Sequence, residues 1–183
     1  MRAGSLRHRA TILSLAADLS TVIIGSRWVG IRAKEAADAG QASGLRTGAM
    51  VEVRARGSAE LVQGRYLLSG SRLLHITSVR DPMGTGAELV LSCDELVGEV
   101  AHYTPPSGGA VMPCRVFLTH GVARPGEFAG KSEYTTQLEA ALIEVGRPQP
   151  GGVFQVGAQA WRVSALVDDD DDRIVRRMWV KRS

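Results

Sequence analysis

The residue types that most often carry catalysis or bind metal are scattered along this chain. Gly84-Thr-Gly86 begins like a dinucleotide-binding fingerprint, but Leu89 stands where the third glycine belongs, and the stretch has the composition of a turn between strands. No Gly-x-Ser-x-Gly motif of a serine hydrolase occurs. The four histidines lie far apart in the sequence: His8, His75, His102 and His120. We therefore predict no catalytic residue, no cofactor and no enzymatic activity.

Five consecutive aspartates at positions 168–172 form the most conspicuous charged run. Asp168, Asp170 and Asp172 have the alternation of a calcium-binding loop. Arg173, however, occupies the position of the loop's glycine, and no glutamate follows at the closing position. The run therefore predicts a solvated hairpin tip rather than a metal site.

The aspartate run also suggests an electrostatic hypothesis, because only basic charges follow it to the end of the sequence. Opposite charges at the two ends of one strand could meet those of a neighbouring copy and set the register of an assembly. The candidate contacts between subunits are Asp168, Asp170, Asp172, Arg173, Arg176 and Arg177.

Composition limits the other classes of function. The 183 residues are 44% hydrophobic and carry a formal net charge of +3, which is not the charge of a polycation. Cys93 and Cys114 are too far apart in sequence to suggest a disulfide framework or a zinc cluster, so we predict buried, reduced thiols. No stretch approaches the roughly 20 apolar residues of a transmembrane helix, so we predict no membrane partner.

The elements that would position any site are strands. From Gly64 to Glu95, apolar and polar side chains alternate on both sides of a turn at Pro82 and Gly84. This two-residue period is typical of half-buried strands in a meander. His75 falls on one of these strands and is predicted to lie at the surface or in an interface.

This strand unit occurs twice. Residues 157–168 align with residues 70–81 without a gap, and the alignment pairs Leu74 with Trp161. Upstream, Gly64 and Tyr66 match Gly152 and Phe154 only if one residue is deleted. The repeat predicts two related small β-domains.

A segment rich in Pro and Gly, Thr104-Pro-Pro-Ser-Gly-Gly109, suits a short spacer between packed units. We therefore predict a first domain at residues 1–103, a linker at 104–110 and a second domain at 111–183. The predicted fold is all-β, with two small barrels or sandwiches. Tyr134 to Val145 is predicted to be a strand, although its apolar spacing also fits a helix.

The stretch from Glu35 to Gly48 is rich in Ala and Gly and poor in the large apolar residues of a core. Such a composition predicts a long mobile loop in the first domain, and long loops in small domains are often functional. Its candidate functional residues are Glu35, Asp38, Gly40, Gly44, Arg46 and Gly48.

A family resemblance lies in the first hundred residues. The chain opens with Gly4-Ser-Leu6-Arg-His8, continues with Trp28 and with Val51-Glu-Val-Arg54, and then reaches the Gly64 unit with Asp81. In this order and spacing, the residues resemble the head-tail joining, or head-closure, proteins of long-tailed bacteriophages. The resemblance implies a small β-barrel for the first domain.

The C-terminal part is similar to a second connector protein. Arg115-Val-Phe117, Gly151-Gly-Val-Phe154, Trp161-Arg-Val163 and Met178-Trp-Val180 resemble segments of the head-to-tail attachment protein of lambdoid phages, which is also a small β-barrel. Members of either family are typically single domains, so the fusion departs from both patterns.

The resemblance implies a structural virion protein of the connector, or neck, made in the host cytoplasm. Its subunits would form a dodecameric or, alternatively, hexameric ring that closes the filled head, with exposed strand edges joining them. The implied partners are the portal or a head-tail adaptor above, a tail terminator or tail tube protein below, and packaged DNA in the channel without sequence specificity. The segment from Glu35 to Gly48 would project toward that channel, with Arg46 near the phosphates.

The main alternative is a pair of barrels of the oligonucleotide-binding kind that grip single-stranded nucleic acid. That function needs aromatic stacking platforms within a basic groove. Aromatic residues make up only 5% of the chain, and most fall where cores are predicted.

Overall fold

The computed structural model describes residues 6–33, 44–125, 132–167 and 172–183. The chain divides into two compact units, Met1–Val97 and Gly98–Ser183. Within the described residues, almost all regular structure is β-strand, as the sequence predicts.

The described residues of the first unit form a closed antiparallel barrel with the strand order β1-β2-β3-β6-β5-β4. The strands are β1 (His8–Leu15), β2 (Thr21–Ala33), β3 (Arg46–Arg56), β4 (Tyr66–Ser69), β5 (Arg72–Arg80) and β6 (Glu88–Leu96). The barrel closes where β4 pairs with β1, from Thr11 opposite Leu68 to Leu13 opposite Tyr66.

The second unit forms another closed barrel, with the order β7-β8-β9-β12-β11-β10. Its described elements are β7 (Glu99–Thr104), β8 (Met112–Pro125), β9 (Ser132–Ala141), α1 (Leu142–Val145), β10 (Val153–Val156), β11 (Gln159–Leu166) and β12 (Val175–Arg182). Closure occurs where β10 pairs with β7, and Phe154 lies opposite Tyr103.

The two barrels have the same topology, because each strand of the first has a counterpart six strands later. They also share a β-bulge. Pairing shifts register after Ile76 in β5 and after Val163 in β11. The bulged residues are Thr77 and Ser164, whose hydroxyls donate to the backbone oxygens of Ser92 (2.9 Å) and Trp179 (3.0 Å). The prediction of two related β-domains is therefore confirmed.

The structure corrects one part of the alignment. The Gly64 N–H donates to the Ile76 oxygen, and the Gly151 N–H makes the equivalent bond to Val163. Both glycines have left-handed φ angles, 84° and 88°. Gly151, not Gly152, is thus the counterpart of Gly64, and no residue is deleted.

Apolar side chains that alternate along the strands fill the two barrels. In the first core, Ile12, Leu67 and Leu74 are fully buried on adjacent strands. In the second core, Tyr103, Phe154 and Trp161 take the corresponding places. Larger aromatic groups therefore fill the same positions in the second barrel.

The predicted domain boundary is wrong. The chain divides between Val97 and Gly98, because β7 pairs with β8 and β10 in the second barrel. The predicted linker at 104–110 is the connection between β7 and β8. Pro and Gly mark a turn at this point, since a tight connection needs the same residues as a flexible spacer.

Two further boundaries differ from prediction. The strand predicted from Tyr134 to Val145 ends at Ala141, and its last four residues form the single helical turn α1. The Glu144 carboxylate accepts from the backbone N–H and the Nε of Arg115, both at 2.9 Å, which ties this turn to β8.

Candidate interaction surfaces

The predicted loop residues are only partly described. Glu35, Asp38 and Gly40 lie outside the described residues. Gly44 is buried, while Arg46 and Gly48 belong to β3, so the prediction of a loop extending to Gly48 is wrong at its end. The physical reason is Leu45, which is fully buried and accepts the Val97 N–H at 2.8 Å.

The structure describes only some of the residues that were predicted to make charge contacts between subunits. Asp168 and Asp170 lie outside the described residues. The Asp172 carboxylate accepts the N–H groups of Ile174 (2.8 Å) and Val175 (2.9 Å) and so begins β12.

The basic members of that set lie at the start of β12. Arg173 is exposed with a left-handed φ of 63°, and Arg176 is half-buried. The Arg177 Nε donates to the buried Glu139 Oε1 at 2.8 Å within the same barrel. A role for these residues between subunits stays a prediction, with Arg177 already engaged in an internal ion pair.

The histidines do not converge. His75 is buried and its ring lies 4.9 Å from that of Tyr66, so the predicted surface position is wrong within this chain. The His120 ring lies 5.6 Å from Trp161, and its Nδ1 is 3.0 Å from the Thr136 hydroxyl. No group of three His, Cys, Asp or Glu side chains that could hold a metal occurs in the part of the chain that the structure describes.

Both cysteine thiols lie in barrel interiors, as predicted. Burial raises the pKa of Cys93 and of Cys114 to about 12. Because the thiolate is the reactive form, we expect neither thiol of the native protein to react with a disulfide reagent at about pH 8. Both should react once the protein is unfolded in denaturant, as absorbance of the released thiolate would measure.

Because both thiols are buried, the free energy of unfolding should fall at alkaline pH. A thiol pKa that is raised on folding stabilises the protein fully below the ordinary thiol pKa of about 8.5. That contribution is lost as the pH rises toward 12. Rapid reaction of Cys93 or Cys114 in the native state would contradict the buried positions.

A groove on the first barrel has a volume of about 500 Å³. Its lining includes Leu6, Ser26, Arg27, Trp28 and Arg56. Arg27 forms an ion pair with Glu60 at 2.9 Å. The lining is part apolar and part basic, which suits binding of a surface rather than acid-base chemistry.

Two large apolar side chains lie on the outer face of β2. Trp28 is 55% exposed and Ile23 is 72% exposed. Trp28 lies opposite Arg9. Because Ala10, the next residue of β1, faces the core, Arg9 and Trp28 both face outward. Ile23 lies opposite Leu13, beyond the β1–β2 bulge. We call these two residues the β2 apolar strip. Sequence alternation marks Trp28 only as a large apolar group, since both faces of this strand carry apolar residues.

A cluster of basic side chains lies on the outer face of the second barrel. Met178 and Val180 point into the core, so Arg177, Trp179 and Lys181 point outward. Arg162 pairs with Lys181 in the adjacent strand. The Arg124 guanidinium lies 5.6 Å from the centre of the Trp179 ring. We call these residues the basic face: Arg124, Arg162, Arg177, Trp179 and Lys181.

One further motif is Gly130-Lys-Ser132, which matches the end of a phosphate-binding loop. Pro125 stands where the first glycine of that motif belongs. The segment joins β8 to β9, whereas a phosphate-binding loop joins a strand to a helix. The motif therefore lacks the structural context of a nucleotide site.

The structure has no helix, within residues 6–33, 44–125, 132–167 and 172–183, that is long and apolar enough to cross a membrane. Comparison of the chain with protein-family models, with curated proteins and with solved structures finds no match.

Proposed function

We propose that this protein is a structural component of a bacteriophage head-tail connector, in which its copies form a ring. In this role the ring closes the DNA-filled head and presents a platform to the tail. The β2 apolar strip is the single observation that carries the proposal, because exposed large apolar groups on a regular surface favour contact with another protein. The sequence resemblance supplies the kind of assembly.

Repetition of the barrel supports a structural role. Two units with the same strand order and the same bulge provide two bodies of the same architecture. Apolar side chains fill their interiors. Such barrels suit packing against neighbours.

Closure of the barrels changes the expected contact between subunits. Exposed strand edges were expected to join neighbouring copies, but a closed barrel pairs its edge strands with each other. We propose instead that subunits meet through outward side chains, with Ile23 and Trp28 at the centre of the contact. A ring arises when such a contact is heterologous and its rotation closes.

The connection between β2 and β3 keeps its proposed place at the channel. Its counterpart in the second barrel is the connection between β8 and β9, because the two topologies match. Each subunit would then bring two equivalent connections to the assembly. The proposed partners remain the portal or adaptor, the tail proteins and packaged DNA.

The alternative of an oligonucleotide-binding barrel has less support. That fold is a five-stranded barrel, whereas the described residues form six strands in each unit. Four of the aromatic side chains that could stack on bases are buried, namely Tyr66, Tyr103, Phe154 and Trp161, and the exposed Trp28 and Tyr134 belong to different barrels.

We expect Ile23→Asp and Trp28→Ala to abolish the ring, because a charge or a cavity at the contact removes its apolar area from burial. The measurement is electron microscopy of the purified protein, alone and mixed with its portal, together with native mass spectrometry for the subunit number. Wild-type protein should show annular particles. The two variants should be smaller species with an unchanged circular dichroism spectrum.

Met83→Asp is the matched control, since Met83 is 77% exposed but lies in the turn between β5 and β6. It should leave the rings intact. A wild-type protein that stays monomeric at high concentration and with its portal would contradict the proposed function. Rings that persist in Ile23→Asp would contradict the proposed contact.

A further inference from the structure

We propose that the basic face of the second barrel binds the phosphodiester backbone of nucleic acid without reading its sequence. This inference does not rest on the proposed function, because all five residues belong to one barrel and need no second copy. It assigns a ligand class to a surface outside the β2 apolar strip.

The first argument is geometric. Residues two apart on a strand point to the same side and lie about 7 Å from each other. Arg177, Trp179 and Lys181 therefore form a row about 13 Å long on the outside of β12. Duplex DNA carries one phosphate per about 3.4 Å along each strand. The row thus spans roughly four phosphates.

The second argument is electrostatic. Arg162 and Lys181 are exposed neighbours in adjacent strands, so two like charges are held side by side. Like charges directly opposite each other destabilise a sheet, and a bound polyanion relieves this cost. Glu139 lies on the same outer face, but it is buried and its carboxylate is bound by Arg177. In β9, Glu133 is the register partner of Arg124. The two exposed side chains of the face, Arg162 and Lys181, are both positive.

The third argument concerns what the face would read. The Trp179 ring is covered on one side by the Arg124 guanidinium at 5.6 Å. A cation already stacked on the ring competes with a base for the same position. The available chemistry is therefore charge and N–H donation to phosphate oxygens, which fixes position on a backbone but carries no sequence information.

The test is fluorescence anisotropy of the full chain with a labelled 20-nucleotide single strand and with the corresponding duplex, over a range of salt concentrations. Arg177 is paired with Glu139, so about three cations of the face, Arg124, Arg162 and Lys181, would contact phosphates. The slope of log K against log salt should then be about −2 for the single strand and about −3 for the duplex. Oligonucleotides of different sequence should bind equally. The ratio of the two affinities identifies whether single strand or duplex is preferred.

The discriminating variant is R162S/K181S. Removing two phosphate contacts should lower affinity at about 50 mM salt by at least about tenfold and reduce the salt slope by about 1.5. The matched control is R32S/R80S, which removes the same charge from two exposed arginines of the first barrel. It should change the affinity by less than about twofold and leave the salt slope within about 0.5 of the wild-type value. Both variants should keep the wild-type circular dichroism spectrum.

Three outcomes would overturn the inference. The first is that neither nucleic acid binds at about 50 mM salt, and the second is that R162S/K181S and R32S/R80S lose the same affinity for nucleic acid. The third is that poly-glutamate binds as tightly as nucleic acid, which would assign the face to an acidic protein. Electron microscopy of the same samples separates this inference from the proposed function. A monomer that binds nucleic acid through this face would refute only the ring, and a ring that does not bind would refute only the basic face.

Discussion

Phe154→Ala is expected to destabilise the protein by about 3–5 kcal/mol, the usual cost of removing a buried Phe side chain from a core. Phe154 is fully buried in the second barrel. Its ring lies 4.5 Å from that of Tyr103 in a stacked arrangement, and such pairs add about 0.5–1.5 kcal/mol beyond burial. Because Phe154 also pairs with Tyr103 where the barrel closes, its loss weakens the joint between β10 and β7.

Urea denaturation followed by circular dichroism measures this change as a fall in the midpoint at constant slope. Val153→Ala is the control, since Val153 is the half-buried neighbour on the opposite face of β10. It should cost less than about 1 kcal/mol. In the first barrel, Leu67→Ala is the equivalent substitution and should cost about 2–5 kcal/mol. A loss of less than about 1 kcal/mol for Phe154→Ala would show that the core is not packed as described.

Gly57→Ala is expected to destabilise the first barrel by about 3 kcal/mol, the upper part of the usual range for overpacking. A Cβ atom at this position would lie 1.6 Å from the Gly86 backbone oxygen. No side-chain rotation relieves this collision, because the atom it meets belongs to the backbone. The Gly57 N–H also donates to the Ala87 oxygen at 3.1 Å, so the β5–β6 turn cannot move away without losing that bond.

The Asp81 carboxylate helps to hold the β5–β6 turn in place. It accepts the N–H groups of Gly86 (2.6 Å), Gly84 (2.9 Å) and Met83 (3.1 Å). These bonds, that of Gly86 most of all, lower the pKa of Asp81. A turn that is held this firmly cannot absorb the displacement that the added methyl group of Gly57→Ala would demand.

Thermal denaturation should show Gly57→Ala melting on the order of 10–20 °C lower than wild type. Gly25→Ala is the matched control. The atoms nearest to its Cβ would be those of the Glu60 carboxylate, at 3.3 Å, and a flexible side chain can give way. A Gly57→Ala protein that melts within about 3 °C of wild type would show that the turn does not cross Gly57 closely.

The comparison of the two barrels explains why a repeat can be read from sequence while its details cannot. Tyr103 in the second barrel takes the place of Ile12 in the first, because they lie opposite Phe154 and Leu67 in matching pairs. The larger ring needs space. Gly152 provides it, since a Cβ there would lie 2.6 Å from the Tyr103 hydroxyl. Arg65 occupies the equivalent position in the first barrel, where Ile12 leaves room.

The functional surfaces were less predictable than the fold. Local alternation does not distinguish an outward Trp28 from an inward one, because the β1–β2 bulge changes which residues face out. The basic face was only partly visible as a run of basic residues in β12, since Arg124 and Arg162 come from other strands. Arg177 was predicted as an inter-subunit contact, yet its guanidinium lies against Glu139.

Three properties of this chain could be predicted from its order of amino acids: the all-β fold, the repeat of one strand unit and the burial of both cysteines. The strands and their repeat follow from a two-residue period and from local turn chemistry. The buried thiols follow from a cysteine spacing that suits neither a disulfide framework nor a zinc cluster. Three other features became evident only in the folded chain: β7 belongs to the second barrel, Leu45 is buried, and particular side chains share an outer face. Those features depend on pairing between strands that are distant in sequence, and a one-residue change in register moves every side chain to the other face.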